Sequence, residues 1–559
     1  MDTARRVRLY YEAWIPASLL AIGAWHFGRD SEAGAAGWMP VAVAWALCAM
    51  HVYLSATQPA TTQPEAEFRP QADDGAVWGG TLVPLVLVAQ CAEASGPRAG
   101  LTQHGAWLLG LAMGWAATVQ ALGRHRGLRC CSMQGLLLAA GAGALALEQY
   151  LQKGGSGWLA WAAALAAAMG AQHLATWRLV RLLPRSFTLG EATVLSQGMV
   201  LVLVDLGARL LGPGGGIPLE NDSSYPQMHT LFLEAVVLAL TGLASSLAWA
   251  AARRPGVGPG VLAGLGLAWA ALALVIVGGI SRADPVRWAV GAAVGSRMHV
   301  LVAGYWVAVL GGALAWAWAR QTKAQPIEAS SPLQLHVRRK AFHILAAALF
   351  TPAFSWAPGL LHVGFTAALA GFVGVEAVRA LRMGRSGAWV DRFMRRFTDA
   401  RDAGPVVTAH FYLLGGCALP LWLGSRHAAP AGVLALGVAD SAASLVGLRF
   451  GRRRWPASRK TVEGTLAFAA SLGVSVAVLG SRTGSPAPLL FAAPAAALVE
   501  ALTEQNDNAV VPLVMHAAAA LVAAGASRPA LFVVAPAAAT MLWNVVEPWR
   551  TTQKAVETG

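Results

Sequence analysis

The chain has 559 residues, of which 56% are hydrophobic and only 13% are charged. Soluble globular proteins carry about 25% charged residues, so this chain has too few to cover a water-facing surface of its size. The formal net charge is +14, from 42 Lys and Arg against 28 Asp and Glu. This composition excludes a soluble enzyme, a disordered protein and a secreted disulfide scaffold, and it indicates a polytopic membrane protein.

Apolar runs recur from the first residues to the last, and each is long enough to cross about 30 Å of hydrocarbon. Helices are favoured because the strands of a membrane barrel would alternate apolar and polar residues. The predicted fold class is therefore an all-α, polytopic integral membrane protein with about 15 transmembrane helices. We expect a multi-span scaffold region that accommodates lipid at 1–320, a polar linker at 321–332, and a region at 333–559 that carries the chemistry.

The excess of positive charge has two interpretations. In a soluble protein it would suggest nucleic acid, whereas in a membrane protein basic loops stay on the cytosolic side and contact anionic lipid headgroups. Because no basic and aromatic nucleic-acid module is visible, we expect membrane lipids, and no nucleic acid, as partners. The five cysteines show no metal-binding spacing, and the three that lie in apolar runs, Cys48, Cys91 and Cys417, are interpreted as small hydrophobic residues.

The segment from Gly437 to Thr465 holds the strongest candidate site. Asp440 lies within an otherwise apolar span, where an ionisable side chain is costly unless it meets a partner, water or a metal ion. Small residues on the same helix, Gly437, Ala443 and Ser444, leave room for a ligand. The alternative is an aspartate that pairs with a neighbouring helix.

A loop without acidic residues follows this helix and is rich in arginine. Guanidinium groups bind phosphate oxygens in bidentate fashion, so this density suits a polyphosphate ligand, although a basic loop retained in the cytosol would have the same composition. Lys460 precedes Thr461, Glu463 and Gly464, a combination typical of a phosphate and metal site, and Trp455 is placed to stack on a base. The basic residues are Arg452, Arg453, Arg454, Arg459 and Lys460.

Two further segments carry charge beside apolar runs. On a continuous helix Glu500, Glu504 and Asp507 would share one side, and Mg²⁺ held by carboxylates and substrate phosphates would explain them. An exposed acidic loop is the alternative. Upstream, His336, Lys340 and His343 share a helix face just before a span, with Arg339 next to Lys340. A juxtamembrane basic anchor would have the same pattern.

These segments together resemble the CTP-dependent polyprenol kinase family, most closely its dolichol kinases. Four motifs occur in the family's order. They are Arg339, Lys340 and His343; the helix Gly437 to Ser444; the loop Trp455 to Thr465; and the acidic group Glu500, Asp507, Asn508 and Pro512. The first half resembles the family chiefly through the segment Pro184 to Ala192. One departure is Ala439, where many relatives have glycine.

The resemblance implies transfer of the γ-phosphoryl group of CTP to the terminal hydroxyl of dolichol or a similar polyprenol, giving dolichyl phosphate for protein glycosylation. It implies a multi-pass protein of the endoplasmic reticulum membrane with catalytic loops in the cytosol, and Mg²⁺ or another divalent cation as cofactor. The residues that would bind the nucleotide are Gly437, Ser441, Ser444, Arg452, Arg453, Arg454, Trp455, Arg459, Lys460, Thr461, Gly464 and Asn508. The metal ligands would be Asp440, Glu500 and Asp507, and the general base would be Asp440 or, as second choice, Glu463. Arg339, Lys340 and His343 would steady the transferred phosphoryl group or the product.

Three alternatives remain open at this stage. One is a related kinase that acts on phytol, farnesol or diacylglycerol, and another is a phosphatidate cytidylyltransferase, which would transfer the nucleotide instead. A transporter would need internal repeats with broken helices in both halves, and none is found. The sequence leaves the choice between CTP and ATP, and the oligomeric state, undetermined.

Overall fold

The computed structural model describes most of the chain between residues 12 and 525. The described residues are 12–20, 22, 68–69, 75–93, 103–125, 158–211, 225–253, 258–321, 332–398, 402, 404–425, 427–455, 458–483 and 486–525. Within these ranges the secondary structure is helical, and the one β-type contact is an isolated antiparallel bridge between Arg454 and Thr461. The all-α prediction is confirmed.

Sixteen helices organise these residues, after a short helical segment at 12–20. The first eight are α1 (Ala76–Glu93), α2 (Gln103–His125), α3 (Trp158–Leu182), α4 (Leu189–Leu211), α5 (Tyr225–Arg253), α6 (Pro259–Ser281), α7 (Pro285–Val294) and α8 (Arg297–Gln321). The others are α9 (Pro332–Trp356), α10 (Pro358–Ala380), α11 (Gly384–Met394), α12 (Ala409–Trp422), α13 (Ala431–Phe450), α14 (Val462–Thr483), α15 (Ala487–Leu502) and α16 (Asp507–Ala523).

Seven of the described helices are long and apolar enough to cross a membrane, namely α4, α5, α6, α8, α10, α13 and α14. Four more are apolar but shorter: parts of α1 and α2, and the whole of α15 and α16. The membrane class is therefore supported. The figure of about 15 spans stays a prediction, because several of the predicted apolar runs lie outside the described residues.

The largest buried apolar cluster joins both ends of the described chain. Leu85 of α1 and Ala112 of α2 belong to the same cluster as Leu434 of α13, Phe468 of α14 and Met515 of α16. Helices from the predicted N-terminal region thus share a core with those that carry the charged motifs. The predicted linker at 321–332 lies almost entirely outside the described residues, and the division there stays a prediction.

Candidate functional site

Asp440 lies at a change of helix geometry within α13. Residues Leu434–Ala439 form a π-helical turn, and regular α-helix resumes at Asp440. Such widened turns are rare and often occur at functional sites. The Asp440 side chain is only 3% exposed, so its charge depends on neighbouring groups for stabilisation.

Gly437 allows α9 to approach this turn closely. A Cβ atom at Gly437 would stand 2.6 Å from Cβ of Ala347 in α9, far inside van der Waals contact. The absence of a side chain thus sets the spacing of two helices, which is a different role from the ligand space that the sequence suggested.

We expect Gly437→Ala to lower stability by about 1–3 kcal/mol, because the added methyl group overpacks the α9–α13 contact. Gly473→Ala in α14 is the matched control, since nothing lies within 4 Å of its Cβ position and a helical Gly→Ala change there should stabilise by about 0.5–1 kcal/mol. Thermal unfolding of the two variants in detergent compares them. Equal melting temperatures would contradict the packing role.

Two side chains of α9 meet Asp440. Lys340 Nζ forms a hydrogen-bonded ion pair with Asp440 Oδ2, and His343 Nδ1 lies 3.0 Å from the same oxygen. His343 Nδ1 also lies 3.1 Å from the Leu436 carbonyl oxygen. Lys340 and His343 share a helix face, as the sequence predicted, and that face points to Asp440. Arg339 is half-buried on the same helix.

The loop between α13 and α14 folds back on itself. Trp455 N donates to the Lys460 carbonyl at 3.1 Å, and Val462 N donates to the Arg453 carbonyl at 2.9 Å. The Trp455 indole is 2% exposed, and its Nε1 donates to Thr465 Oγ1 at 2.9 Å. The predicted stacking of this indole on a base is not supported by this arrangement, because the ring is buried in the core and anchors the loop.

The loop brings Lys460 to the acidic segment. Its ammonium group donates to Glu500 Oε1 and lies 3.3 Å from Asp507 Oδ2. Ser458 Oγ donates to the Ala501 carbonyl at 2.8 Å and fixes the loop against α15. Burial works to lower the pKa of Lys460, but the Glu500 and Asp507 carboxylates outweigh it and hold that pKa above its usual value.

The acidic segment differs from the predicted continuous helix. α15 ends at Leu502, and α16 begins at Asp507, where the Asn506 side chain caps the helix by accepting from Asn508 N. The prediction that Glu500, Glu504 and Asp507 share one helix side was therefore wrong, because capping groups turn the chain between them. Glu504 lies in the connecting loop, while Glu500 and Asp507 still converge.

Three carboxylates from three helices meet at one point. One oxygen from each of Asp440, Glu500 and Asp507 lies within 4.8 Å of the other two. Asp440 Oδ1 is buried and has no hydrogen-bond partner within the described part of the chain. Oxygen ligands of this kind suit a hard divalent cation, so the residues present fit such an ion.

The other predicted site residues are distributed around this point. The Glu463 carboxylate accepts from Arg453 N at 3.2 Å through both oxygens, and Gly464 N donates to Thr461 Oγ1 at 3.2 Å. Ser441 Oγ donates to the Gly437 carbonyl at 2.9 Å. Ser444 is half-buried. Asn508 is buried, and its Oδ1 has no hydrogen-bond partner among the described residues. The exposed side chains are those of Arg452, Arg453, Arg454 and Arg459.

Residues of the first half support the loop that follows Glu500, which the sequence did not indicate. Thr503 Oγ1 and Trp78 Nε1 both donate to Glu12 Oε1, at 2.8 and 2.6 Å. Thr188 Oγ1 donates to Gln505 Oε1 at 3.2 Å. The two contacts that reach this loop join residues 317 and 491 positions apart in the chain, and no local sequence signal encodes them.

The family-like segment Pro184 to Ala192 contains a capping box at the start of α4. Thr188 Oγ1 accepts from Glu191 N at 3.2 Å, and Glu191 Oε2 accepts from Thr188 N at 3.0 Å. Buried Arg69 pairs with Glu191. The cap thus directs the Thr188 hydroxyl toward Gln505, in the loop between Glu500 and Asp507.

Thr188→Val is expected to lower the free energy of unfolding by about 1–2 kcal/mol, because it removes the cap and the Gln505 hydrogen bond. Thr188→Ser keeps a hydroxyl and should stay near the wild type. Thermal unfolding of both variants is the measurement. A valine variant as stable as the serine variant would show that the hydroxyl contributes nothing.

Comparison with known proteins finds similarity over part of the chain. Residues 174–418 match the family model described as dolichol kinase. The match includes the capping box of α4 and the Arg339, Lys340 and His343 motif, and it ends before Asp440. Over this part of its length the chain is similar to the dolichol kinases.

Several curated members of the dolichol kinase family are similar to the chain. Dolichol kinase EVAN of Arabidopsis thaliana is 40% identical over 204 residues, which cover 34% of this chain and 36% of that protein. The Mus musculus dolichol kinase is 31% identical over 354 residues, covering 60% and 65%, and Schizosaccharomyces pombe dolichol kinase sec59 is 36% identical over 193 residues, covering 32% and 38%. The similarity thus spans between about one third and two thirds of these relatives. No solved structure matches the chain.

Proposed function

We propose that the chain transfers the γ-phosphoryl group of CTP to the terminal hydroxyl of dolichol or a similar polyprenol. The observation that carries the proposal is the meeting of Asp440, Glu500 and Asp507 with Lys340 and Lys460 at one point. Phosphoryl transfer depends mainly on positioning and on neutralising negative charge. Similarity to dolichol kinases supports the choice of acceptor.

The triphosphate is assigned to the basic loop between α13 and α14. Exposed guanidinium groups there are free to form bidentate contacts with phosphate oxygens and are held by the backbone pairing of Arg453 with Val462. The buried Asn508, which directly follows Asp507, is also assigned to nucleotide binding. The proposed phosphate ligands are Arg452, Arg453, Arg454, Arg459 and Lys460.

Asp440, Glu500 and Asp507 are the residues that would hold Mg²⁺ or another divalent cation. When bound, the cation would neutralise charge on the phosphates. Lys340 and Lys460 pair with these three carboxylates. We infer that both ammonium groups also contact phosphate oxygens of the nucleotide.

Asp440 is the proposed general base. Its Oδ2 is held by Lys340 and His343, while Oδ1 is left for the cation or the acceptor hydroxyl. The hydroxyl would lose its proton to Asp440 as its oxygen bonds to the γ-phosphorus, and CDP would leave with the electrons of the broken bond. Glu463 is a weaker choice because its carboxylate already binds the Arg453 amide.

A site at a membrane edge suits a water-soluble donor and a lipid acceptor. The basic loop lies between two candidate spans, α13 and α14, and basic loops are retained on the cytosolic side. We accordingly propose the endoplasmic reticulum membrane, with these loops in the cytosol where CTP is available.

An acceptor panel tests the proposed substrate. The purified chain is reconstituted with CTP labelled in the γ position and offered dolichol, phytol, farnesol or diacylglycerol in separate vesicles. We expect labelled lipid with dolichol. Labelling of diacylglycerol or phytol without labelling of dolichol would reject the acceptor and support one of the sibling kinases instead.

A further inference from the structure

Helix α11 lies outside the candidate spans and presents three chemically different sides. It follows α10 after a short turn at Leu381 to Met383. At about 100° per residue, Trp389 and Phe393 share one side of α11, and Arg385 and Arg392 share the adjoining side. Gly387 and Asp391 lie on the remaining side.

The third side fixes α11 on the protein. Asp391 Oδ1 accepts from Arg379 Nη1 of α10 at 3.1 Å. Gly387 is buried, and a Cβ atom there would stand 2.6 Å from the Val378 carbonyl oxygen. Because these contacts fix the rotation of α11 about its own axis, each of its other two sides faces a defined direction.

The aromatic side extends into a row of rings. Trp389 and Phe393 are stacked with ring centroids 5.8 Å apart, and Phe393 and Phe397 follow at 5.4 Å. Phe397 packs edge-on against Phe342 of α9 at 4.9 Å. The ends of the row remain open, since Trp389 is 51% exposed and Phe342 is 38% exposed.

On the basic side of α11, arginines outnumber acids within the described segment. Residues 382–398 contain five arginines and one acid, Asp391. Arg385 and Arg392 are exposed, whereas Arg395 pairs with Asp391 at 2.7 Å. Hydrogen bonds from Arg395 and Arg379 lower the pKa of the Asp391 carboxyl, so this acid stays ionised and engaged with its two partners.

We propose that α11 is a docking surface for the headgroups of anionic membrane lipids, with its aromatic row at the edge of the hydrocarbon. Aromatic rings concentrate at membrane interfaces, and amphipathic helices with basic polar sides lie in the headgroup layer and bind anionic lipid. Phe342 stands between Lys340 and His343 in sequence, which places this surface at the same membrane face as the acidic cluster. Lipid binding here does not depend on the proposed kinase activity.

Hydrogen exchange of the full-length chain in lipid nanodiscs tests the surface. We compare discs of phosphatidylcholine alone with discs that also contain phosphatidylserine. The amides of 384–397 should exchange at least about tenfold more slowly in the anionic discs, because each basic residue at the surface contributes about fivefold to lipid affinity. The double variant Arg385→Gln, Arg392→Gln should lose this difference.

The matched control removes two exposed arginines elsewhere. They are Arg287 in α7 and Arg297, the first residue of α8. That double glutamine variant should keep the slower exchange of α11, and the amides of α16 report whether each variant is folded. Equal exchange in the two kinds of disc would overturn the proposal. So would slow exchange that appears only after polyprenol is added, because the aromatic row would then belong to the acceptor.

Discussion

Asp440→Asn is expected to lower turnover by about 10³-fold, the scale of losing a positioned acid or base. The amide keeps the size of the side chain but removes the charge that faces Lys340 and His343. It can neither accept the proton of the acceptor hydroxyl nor serve as an anionic cation ligand. The measurement is initial phosphoryl transfer by the reconstituted chain, with membrane insertion checked in parallel.

Asp205→Asn is the matched control for this experiment. Asp205 is also an acid within a candidate span, where it pairs with Arg209 at 2.7 Å, but it lies on α4 and outside the acidic cluster. We expect this variant to keep its activity. Turnover at the wild-type rate by the Asp440 variant would reject the assignment of Asp440.

Glu500→Gln is expected to raise the Mg²⁺ concentration for half-maximal activity by at least about tenfold, because the charge of the ligands sets the affinity for hard cations. The side chain is 4% exposed and lies at the end of α15. The same substitution weakens the hold on Lys460. Activity is therefore measured over a range of Mg²⁺ at saturating nucleotide, which separates loss of the cation from loss of the nucleotide.

Glu504→Gln removes an equal charge four residues further along, from an acid that does not belong to the described acidic cluster. Its Mg²⁺ dependence should match the wild type. If the two variants shifted the Mg²⁺ requirement equally, the effect would come from general charge in the loop, and a specific ligand role for Glu500 would be excluded.

The class of fold and the members of the cluster were predictable from the sequence for a physical reason. An ionisable residue in an apolar run needs a partner, so the position of Asp440 by itself indicates a site. The spacing of Lys340 and His343 placed both on one helix face, and both meet Asp440. The family-like motifs thus occupy one region.

Other features had no local signal. Helical periodicity predicted one continuous helix from Glu500 to Asp507, whereas a new helix begins at Asp507 and is capped by Asn506. The burial of Trp455 depends on Thr465 in the following helix, and the support of Thr503 depends on Glu12, 491 positions away. Contacts of this range follow from tertiary packing, which residue spacing in one sequence does not encode.

The fate of the label from CTP tests the central claim most directly. The reconstituted chain receives dolichol and Mg²⁺ with one labelled donor in each reaction. The donors are CTP labelled at the α phosphorus, CTP labelled at the γ phosphorus, and ATP labelled at the γ phosphorus. We expect γ label from CTP in the lipid product, CDP in solution and no α label in the lipid. Label from the α position in the lipid would reveal cytidylyl transfer. Dolichol that remains unlabelled with every donor would contradict kinase activity.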